Sequence, residues 1–294
     1  LSNADKFDPD FFGIPASQAR FMDPQQRQML MAAVHALQLA GLWRDREHGS
    51  AGHADSALSR KDSVGVFAAV GESTYLTNNL RRQRAKAQTD SVLRYNIGIL
   101  NRAGCAATRI AHLLDLRGPA VTVNTTCSSG LVAVQMACDA IRAGRCSSAV
   151  VCAAHIPLPQ QGHLFSPGMI LSATGACRPF DERADGIILG SAVCAIVIRR
   201  LGDAARDGAH IHSIIRGVAT NNDGHDKVSF TAPSSTGQEQ VLRAALEEAE
   251  VPAGATVLLS LLACQSLTPG AALADTVGLI EAHSTATNLG DPIE

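Results

Sequence analysis

Short apolar runs of strand length alternate with helical segments along this chain, and this alternation constrains the fold more than any other feature. The predicted strands are Val64–Val70, Ala120–Val123, Ala149–Ala154, Ala192–Arg199 and Ile211–Thr220. Strands that alternate with helices are typical of a layered α/β architecture. With 294 residues, of which 46% are hydrophobic, the chain is long enough for one large domain or two fused halves.

Four helices are predicted around these strands. Asp23 and Pro24 form a helix start signal, apolar residues follow at helical spacing, and Gly41 ends the segment. The other three helices are a region around 100–114, an amphipathic stretch over 238–250, and the segment 131–143. The last of these is apolar on every face, so it is predicted to be buried all round.

Cys127 stands where an apolar strand meets that apolar helix. At such a junction the first backbone N–H groups of the helix lack carbonyl partners, and together with the helix dipole they favour a thiolate over a thiol. Small residues flank it on both sides (Thr125, Thr126, Ser128, Ser129 and Gly130), which leaves room for a thioester and backbone N–H groups for an oxyanion. The alternative is an unreactive cysteine buried at a tight turn, because free cysteine often serves as a small hydrophobe.

Composition excludes several classes of function. The net charge is -2, so the chain carries no electrostatic footprint for nucleic acid or an anionic membrane. The one basic cluster, within 81–86, is interpreted as a solvated helix face. No stretch approaches the ~18 apolar residues of a membrane span. The eight cysteines form no CxxC pair, which together with these features predicts a cytoplasmic protein. Because the chain begins with Leu1, we expect an excerpt of something longer.

Ordered motifs surround the cysteine and resemble those of a known family. The motifs are Phe7–Ile14, Asp23–Arg27, Leu116–Pro119, Thr125–Gly130, Arg178–Asp181 with Ala184–Gly186, Arg216–Gly217 with Asn221–Gly224, and Glu281–His283 with Asp291–Glu294. In this order they resemble the ketosynthase (β-ketoacyl synthase) domains of type I polyketide synthases, in the thiolase-like superfamily. The resemblance implies a thiolase-like α/β fold of two similar halves with layered α-β-α-β-α architecture, the second half incomplete. It places the half with the nucleophile at 1–205 and the start of the other at 206–294.

The resemblance also implies roles for four residues. Cys127 matches the acyl-accepting nucleophile, and His283 matches the first of two catalytic histidines, the second being expected after Glu294. On its own, His283 would more readily be a core histidine. Thr285 and Thr287 match threonines that line the phosphopantetheine tunnel. If the halves pack as implied, the His283 ring lies within roughly 3 to 5 Å of the Cys127 sulfur.

The implied reaction is a decarboxylative Claisen condensation of an acyl thioester with a malonyl-type extender. It needs no metal and no bound cofactor, since phosphopantetheine arrives on an acyl carrier protein. The implied partners are that carrier protein, a neighbouring acyltransferase domain and a second copy in a homodimer. A non-elongating module for structure or carrier docking is the alternative. A Cys–His hydrolase is a third interpretation, disfavoured by the apolar helix after Cys127.

The sequence departs from the family pattern in three places. Two glycines of the histidine motif are replaced by Ser284 and Ala286, which costs about 1 kcal/mol each if the backbone there needs positive φ. A glutamate usual after the Ala184–Gly186 motif is replaced by Ser191. The segment 257–276 is extra relative to the family spacing, either as an insertion or as translated non-coding sequence.

Overall fold

The computed structural model describes residues 1–43, 63–251 and 279–294. The extra segment predicted at 257–276 lies outside the described residues. Contacts divide the chain into two compact units, Leu1–Gln161 with Gly190–Ile214 and Gly162–Leu189 with Ile215–Glu294. The predicted division near residue 205 stays a prediction, and each unit is described by itself.

The first unit contains most of the regular structure. Its helices are α1 (Ala16–Ala19), α2 (Pro24–Leu39), α3 (Thr74–Asn78), α4 (Arg81–Lys86), α5 (Ser91–Asn101), α6 (Ala106–Leu114), α7 (Ser129–Arg142) and α8 (Leu201–Arg206). Its strands are β1 (Val64–Val70), β2 (Ala120–Val123), β3 (Ser148–His155) and β4 (Ala192–Arg199). The second unit contains α9 (Ser235–Glu248) and α10 (Gly290–Ile293). None of the helices within the described ranges is long and apolar enough to cross a membrane.

The four strands form one sheet in the order β2-β1-β3-β4. β1 lies parallel to both β2 and β3, and β4 runs antiparallel to β3 at the edge. Four of the five predicted strands are therefore confirmed. The fifth prediction, Ile211–Thr220, is wrong: the segment forms no strand and pairs with no neighbouring strand in the described part of the chain.

Successive side chains of the central strands point to opposite faces of the sheet, so the hydrophobic core is divided between the two faces. On one face, Val66 and Val150 pack into a cluster with residues of α2 and α6. On the other, Phe67 and Val151 pack with α7. Because successive side chains of a strand point to opposite faces, apolar β1 requires helices on both sides. The first unit thus has three layers, helix on sheet on helix.

The prediction that the helix after Cys127 is buried all round is wrong for the described residues. α7 buries Ala133, Ala137 and Ile141 against the sheet, whereas Leu131 is 73% exposed. A single sheet can cover only one stripe of a helix, so the other apolar face of α7 stays open in this unit. Sequence composition alone does not distinguish a helix with one packed face from a helix with two.

Asp23 and Gln25 connect α2 to the ends of two strands. The Asp23 carboxylate caps α2 by accepting the Gln25 N–H at 2.9 Å. The Gln25 side-chain amide donates to the Gly71 carbonyl at 3.1 Å, just after β1, and its oxygen accepts the Ile156 N–H at 3.1 Å, just after β3. Gln25 is 1% exposed, so it satisfies backbone groups that water cannot reach. The hydrogen bonds of Gln25 therefore align the carboxyl ends of β1 and β3.

Burial raises the pKa of Asp23 above its ordinary value of 3.8, against hydrogen bonds that lower it. The folded state thus holds this proton more tightly than the unfolded chain does. The stability that this group contributes is full below pH 3.8 and is lost as the pH rises through the folded-state pKa.

We predict that Asp23→Asn reduces the fall in the free energy of unfolding as the pH rises from 4 to 7. Asparagine keeps an oxygen for the Gln25 N–H but carries no charge at any of these pH values. Urea unfolding between pH 4 and 7 measures it. Asp90→Asn is the matched control, because Asp90 caps α5 in the same way but is exposed. An unchanged fall of unfolding free energy with pH in Asp23→Asn would contradict the prediction.

Candidate active site

Cys127 lies in a turn between the end of β2 and the start of α7. Residues Thr126–Ser128 form one turn of 3₁₀-helix, and α7 begins directly after it at Ser129. The turn follows the carboxyl end of a parallel strand, which is the edge where ligands bind in α/β folds. The Cys127 side chain is exposed, so the alternative of a buried, unreactive cysteine does not apply within this unit.

The turn has an unusual backbone. Thr126, immediately before the cysteine, has φ of 58°, in the left-handed region. A β-branched residue there is strained, and such strain is concentrated at functional sites. Neighbouring side chains hold the turn: the Ser129 hydroxyl bonds two of its backbone groups, and the Asn124 carboxamide oxygen accepts the Thr126 N–H at 3.3 Å. Neither Ser129 nor Asn124 can be assigned this holding role from sequence, since small polar residues in a turn carry no specific signal.

The described cysteines differ strongly in access. Cys138, Cys146 and Cys152 are buried, and burial raises the pKa of Cys152 to about 12 and that of Cys146 in the same direction. The apolar run around Cys194 predicts a thiol inside the core, and this prediction is wrong, because Cys194 is exposed on edge strand β4. Side-chain alternation along β4 explains the difference, because Val193, Ala195 and Val197 pack against the core while Cys194 belongs to the opposite face.

We predict that Cys127 is the described thiol alkylated fastest by iodoacetamide, since it combines exposure with the start of a helix. Peptide mapping after limited labelling measures the order in which the cysteines react. Cys194 is the internal control, because it is equally an exposed thiol but lies in the middle of a strand. Faster labelling of Cys194 than of Cys127 would remove the argument for an activated cysteine.

The second unit carries the other predicted residues. His283 is exposed, and Thr285 and Thr287 are half-buried. The hydroxyls of the two threonines lie 3.2 Å apart, and Thr287 also accepts the Gly290 N–H at 3.1 Å. A Cβ added to Gly290 would lie 2.5 Å from the Thr287 hydroxyl oxygen, so a larger residue there would displace that hydroxyl. The structure therefore brings Thr285 and Thr287 together at the start of α10.

The histidine segment is held by the motifs that precede it in the second unit. The Ala286 carbonyl accepts the Gly186 N–H at 2.8 Å. The Asp291 carboxylate accepts the Phe180 N–H at 2.7 Å. A Cβ on Gly186 would lie 2.4 Å from the carbonyl oxygen of Ile170, and its φ of 126° also requires glycine. From sequence these motifs are only family markers, whereas in the structure they position the segment around His283.

The two residues that replace family glycines have left-handed backbones. Ser284 has φ of 56° and Ala286 has φ of 54°. The backbone therefore has a positive φ at both positions where the family usually has glycine. Side chains with a Cβ adopt it only with strain, so this segment is less stable than a glycine-containing one.

We predict that Ser284→Gly raises the free energy of unfolding by about 1 kcal/mol, because glycine adopts this backbone without strain. Thermal unfolding of the intact protein that carries this chain measures it. Ala282→Gly is the matched control, since Ala282 lies two residues away without a positive φ, and glycine there should give no gain. A lower unfolding temperature for Ser284→Gly would show that serine contacts outweigh the backbone strain.

The predicted approach of the His283 ring to the Cys127 sulfur connects residues of different units, and it stays a prediction. Within the described ranges, no three His, Cys, Asp or Glu side chains come together as a metal site. A cavity of about 570 Å³ lies between α3, α4 and α5, lined by Arg81, Arg84 and Arg94 among others. All three arginines are exposed, and Arg81 and Arg84 belong to the basic cluster that was predicted to be solvated. The described lining includes none of the predicted site residues.

Comparison with known proteins defines the class. The crystal structure of ketosynthase twelve from the bacillaene polyketide synthase of Bacillus amyloliquefaciens matches with a TM-score of 0.80 and 29% identity, covering all of this chain and 45% of that one. A ketosynthase from the oxazolomycin system of Streptomyces albus matches with a TM-score of 0.76 and 28% identity, covering 100% of this chain and 44% of that one. The chain therefore has the thiolase-like α/β fold of these transferases.

Sequence comparison then gives the family. Residues 1–204 match the family described as β-ketoacyl synthase, N-terminal domain, and residues 212–260 match the corresponding C-terminal domain. A phenolphthiocerol/phthiocerol polyketide synthase protein of Mycobacterium tuberculosis is 37% identical over an alignment of 299 residues, which covers 100% of this chain and 18% of that protein. The chain belongs to the β-ketoacyl synthase family, as a ketosynthase of the polyketide synthase type. It spans less than a fifth of the length of that curated relative.

Proposed function

We propose that this chain performs the acyl-transfer and condensation chemistry of a polyketide ketosynthase, with Cys127 as the nucleophile. The observation that carries the proposal is the exposed Cys127 thiol in a strained turn, between the carboxyl end of a parallel strand and the start of α7. Covalent catalysis needs a thiol that substrate can reach and that nearby dipoles activate.

In the first stage, the Cys127 thiolate attacks the carbonyl carbon of an acyl thioester, and a tetrahedral oxyanion forms. The first N–H groups of a helical segment have no carbonyl partner within it. The N–H group of Cys127 is therefore the donor proposed for that oxyanion, since that of Thr126 already bonds the Asn124 side chain. Collapse of the intermediate expels the carrier thiolate and leaves the acyl group on the Cys127 sulfur.

In the second stage, a malonyl-type extender thioester loses carbon dioxide, and the resulting enolate carbon attacks the acyl-Cys127 carbonyl carbon. The tetrahedral intermediate then collapses, which breaks the carbon–sulfur bond, releases the Cys127 thiolate and leaves the elongated chain on the extender thioester. A neutral histidine donates a hydrogen bond to the developing enolate oxygen. His283 is the residue proposed for this role, because it is exposed and its segment is fixed by the hydrogen bonds of Ser284 and Ala286 to neighbouring residues. Thr285 and Thr287 offer paired hydroxyls to the amide groups of a phosphopantetheine arm.

The proposed partners follow from this chemistry. Phosphopantetheine enters as part of the substrate on an acyl carrier protein, and no metal or bound cofactor takes part. A neighbouring acyltransferase domain loads that carrier, and a second copy of the chain completes a homodimer. Residues 1–205 are proposed as the half with the nucleophile.

A second function is favoured by one observation. Ser284 and Ala286 impose strain beside His283, where glycine is usual in the family. A module that accepts acyl groups or docks carriers without elongation tolerates such strain, because it does not need the histidine in its catalytic position.

Separate assays of the two half-reactions test these functions in the intact protein. Radiolabelled acyl transfer from a carrier thioester measures loading, and mass spectrometry of the carrier-bound product measures condensation. We expect Cys127→Ala to lose both, and His283→Ala to lose condensation by about 100-fold or more while loading persists. His225→Ala is the matched control, as an exposed histidine of the same unit outside the site.

Each result separates the alternatives. Loading that survives in Cys127→Ala would overturn the nucleophile assignment. Loss of both half-reactions in His283→Ala would instead assign His283 to activation of the thiol. A wild-type protein that loads but never condenses would establish the non-elongating function.

A further inference from the structure

We propose that Ser129 is a positioning residue that holds the Cys127 thiol in its reactive place. The inference deepens the proposed function and rests on Cys127 being its nucleophile. The Ser129 hydroxyl donates to the Thr126 carbonyl at 2.6 Å and accepts the Thr125 N–H at 2.8 Å. These two bonds connect backbone groups on the N-terminal side of Cys127 to the first residue of α7.

The left-handed backbone of Thr126 makes this connection necessary. A β-branched residue leaves that region unless neighbouring contacts hold it, and rotation at Thr126 would swing the adjacent Cys127. The Thr126 carbonyl also accepts the backbone N–H of Ser129, so two donors on one residue fix the same oxygen. Ser129 therefore opposes the relaxation that the strain favours.

Ser129 is well placed to act as an anchor. It is 8% exposed, so water does not readily replace its bonds. It begins α7, whose Ala133 and Ala137 are fully buried against the sheet. The two Ser129 bonds thus tie the position of Cys127 to the rigid core.

Ser128 has a different role. Its hydroxyl donates to the Thr125 carbonyl at 2.9 Å and lies 3.0 Å from the Thr125 hydroxyl. Neither bond reaches Thr126. Ser129 therefore holds Thr126 through contacts that Ser128 does not make.

The test measures the rate of Cys127 alkylation by iodoacetamide, with peptide mapping, in the intact protein. We expect Ser129→Ala to slow it by about tenfold, because the strained conformation is no longer held. Ser129→Thr keeps the hydroxyl and should retain most of the rate. Ser147→Ala is the matched control, since it removes a half-buried hydroxyl that bonds a backbone carbonyl elsewhere, the Ser63 oxygen at 3.2 Å.

A second substitution separates positioning from general stability. Glycine adopts the left-handed backbone without strain, so Thr126→Gly should make the Ser129 hydroxyl dispensable. We therefore expect the double variant Thr126→Gly, Ser129→Ala to label Cys127 at the rate of Thr126→Gly alone. This comparison also applies if Ser129→Ala does not fold by itself.

Equal labelling rates for Ser129→Ala and wild type would overturn the positioning role. A further tenfold loss from Ser129→Ala in the Thr126→Gly background would also overturn it, since the hydroxyl would then act independently of the strain. Acyl loading of wild-type Cys127 is measured in parallel. Its failure would refute the proposed function itself, whereas normal loading with unaffected variants would refute only the role of Ser129.

Discussion

The parallel pairing of β1 with β2 is the constraint on which the nucleophile depends. β1 is buried along its whole length, and β2 reaches it through the chain reversal at Gly118 and Pro119. The Gly118 N–H donates to the Val64 carbonyl at 2.9 Å, and the Pro119 carbonyl accepts the Val66 N–H at 2.7 Å. A Cβ on Gly118 would lie 2.5 Å from the Gly65 nitrogen, so only glycine lets the strands approach in this register. The register in turn sets where β2 ends and the turn around Cys127 begins.

Backbone strain marks both parts of the proposed site. Thr126 stands before the nucleophile and Ser284 after the histidine, each with a left-handed φ that its side chain disfavours. Hydrogen bonds from neighbouring residues oppose the strain in both places, through Ser129 in the first unit and Glu294 in the second. The nucleophile is thus anchored to a helix on the packed core, while the described residues 279–287 around His283 form neither a helix nor a strand.

Much of the fold could be predicted from sequence because the strands are short, apolar and bounded by turn residues. β1, β2 and β4 have the predicted bounds, and β3 is one residue longer at each end. Ile211–Thr220 shows what residue composition does not predict. Its composition is that of a strand, but a strand needs a partner for its backbone groups, and pairing is a property of the tertiary structure. α7 shows the same limit, because its apolar composition did not reveal which face would meet the sheet.

The sequence by itself determined the family, the alternation of strands and helices, and the position of Cys127 at a junction between them, since these follow from residue order and local chemistry. Only the tertiary structure decided how the turn is held. The left-handed conformation of Thr126, the two bonds of Ser129 and the bridge from Gln25 to the ends of β1 and β3 depend on backbone geometry and on groups distant along the chain. The residue type determines which hydrogen bonds a side chain can make, whereas the folded structure determines which partners lie within hydrogen-bond distance.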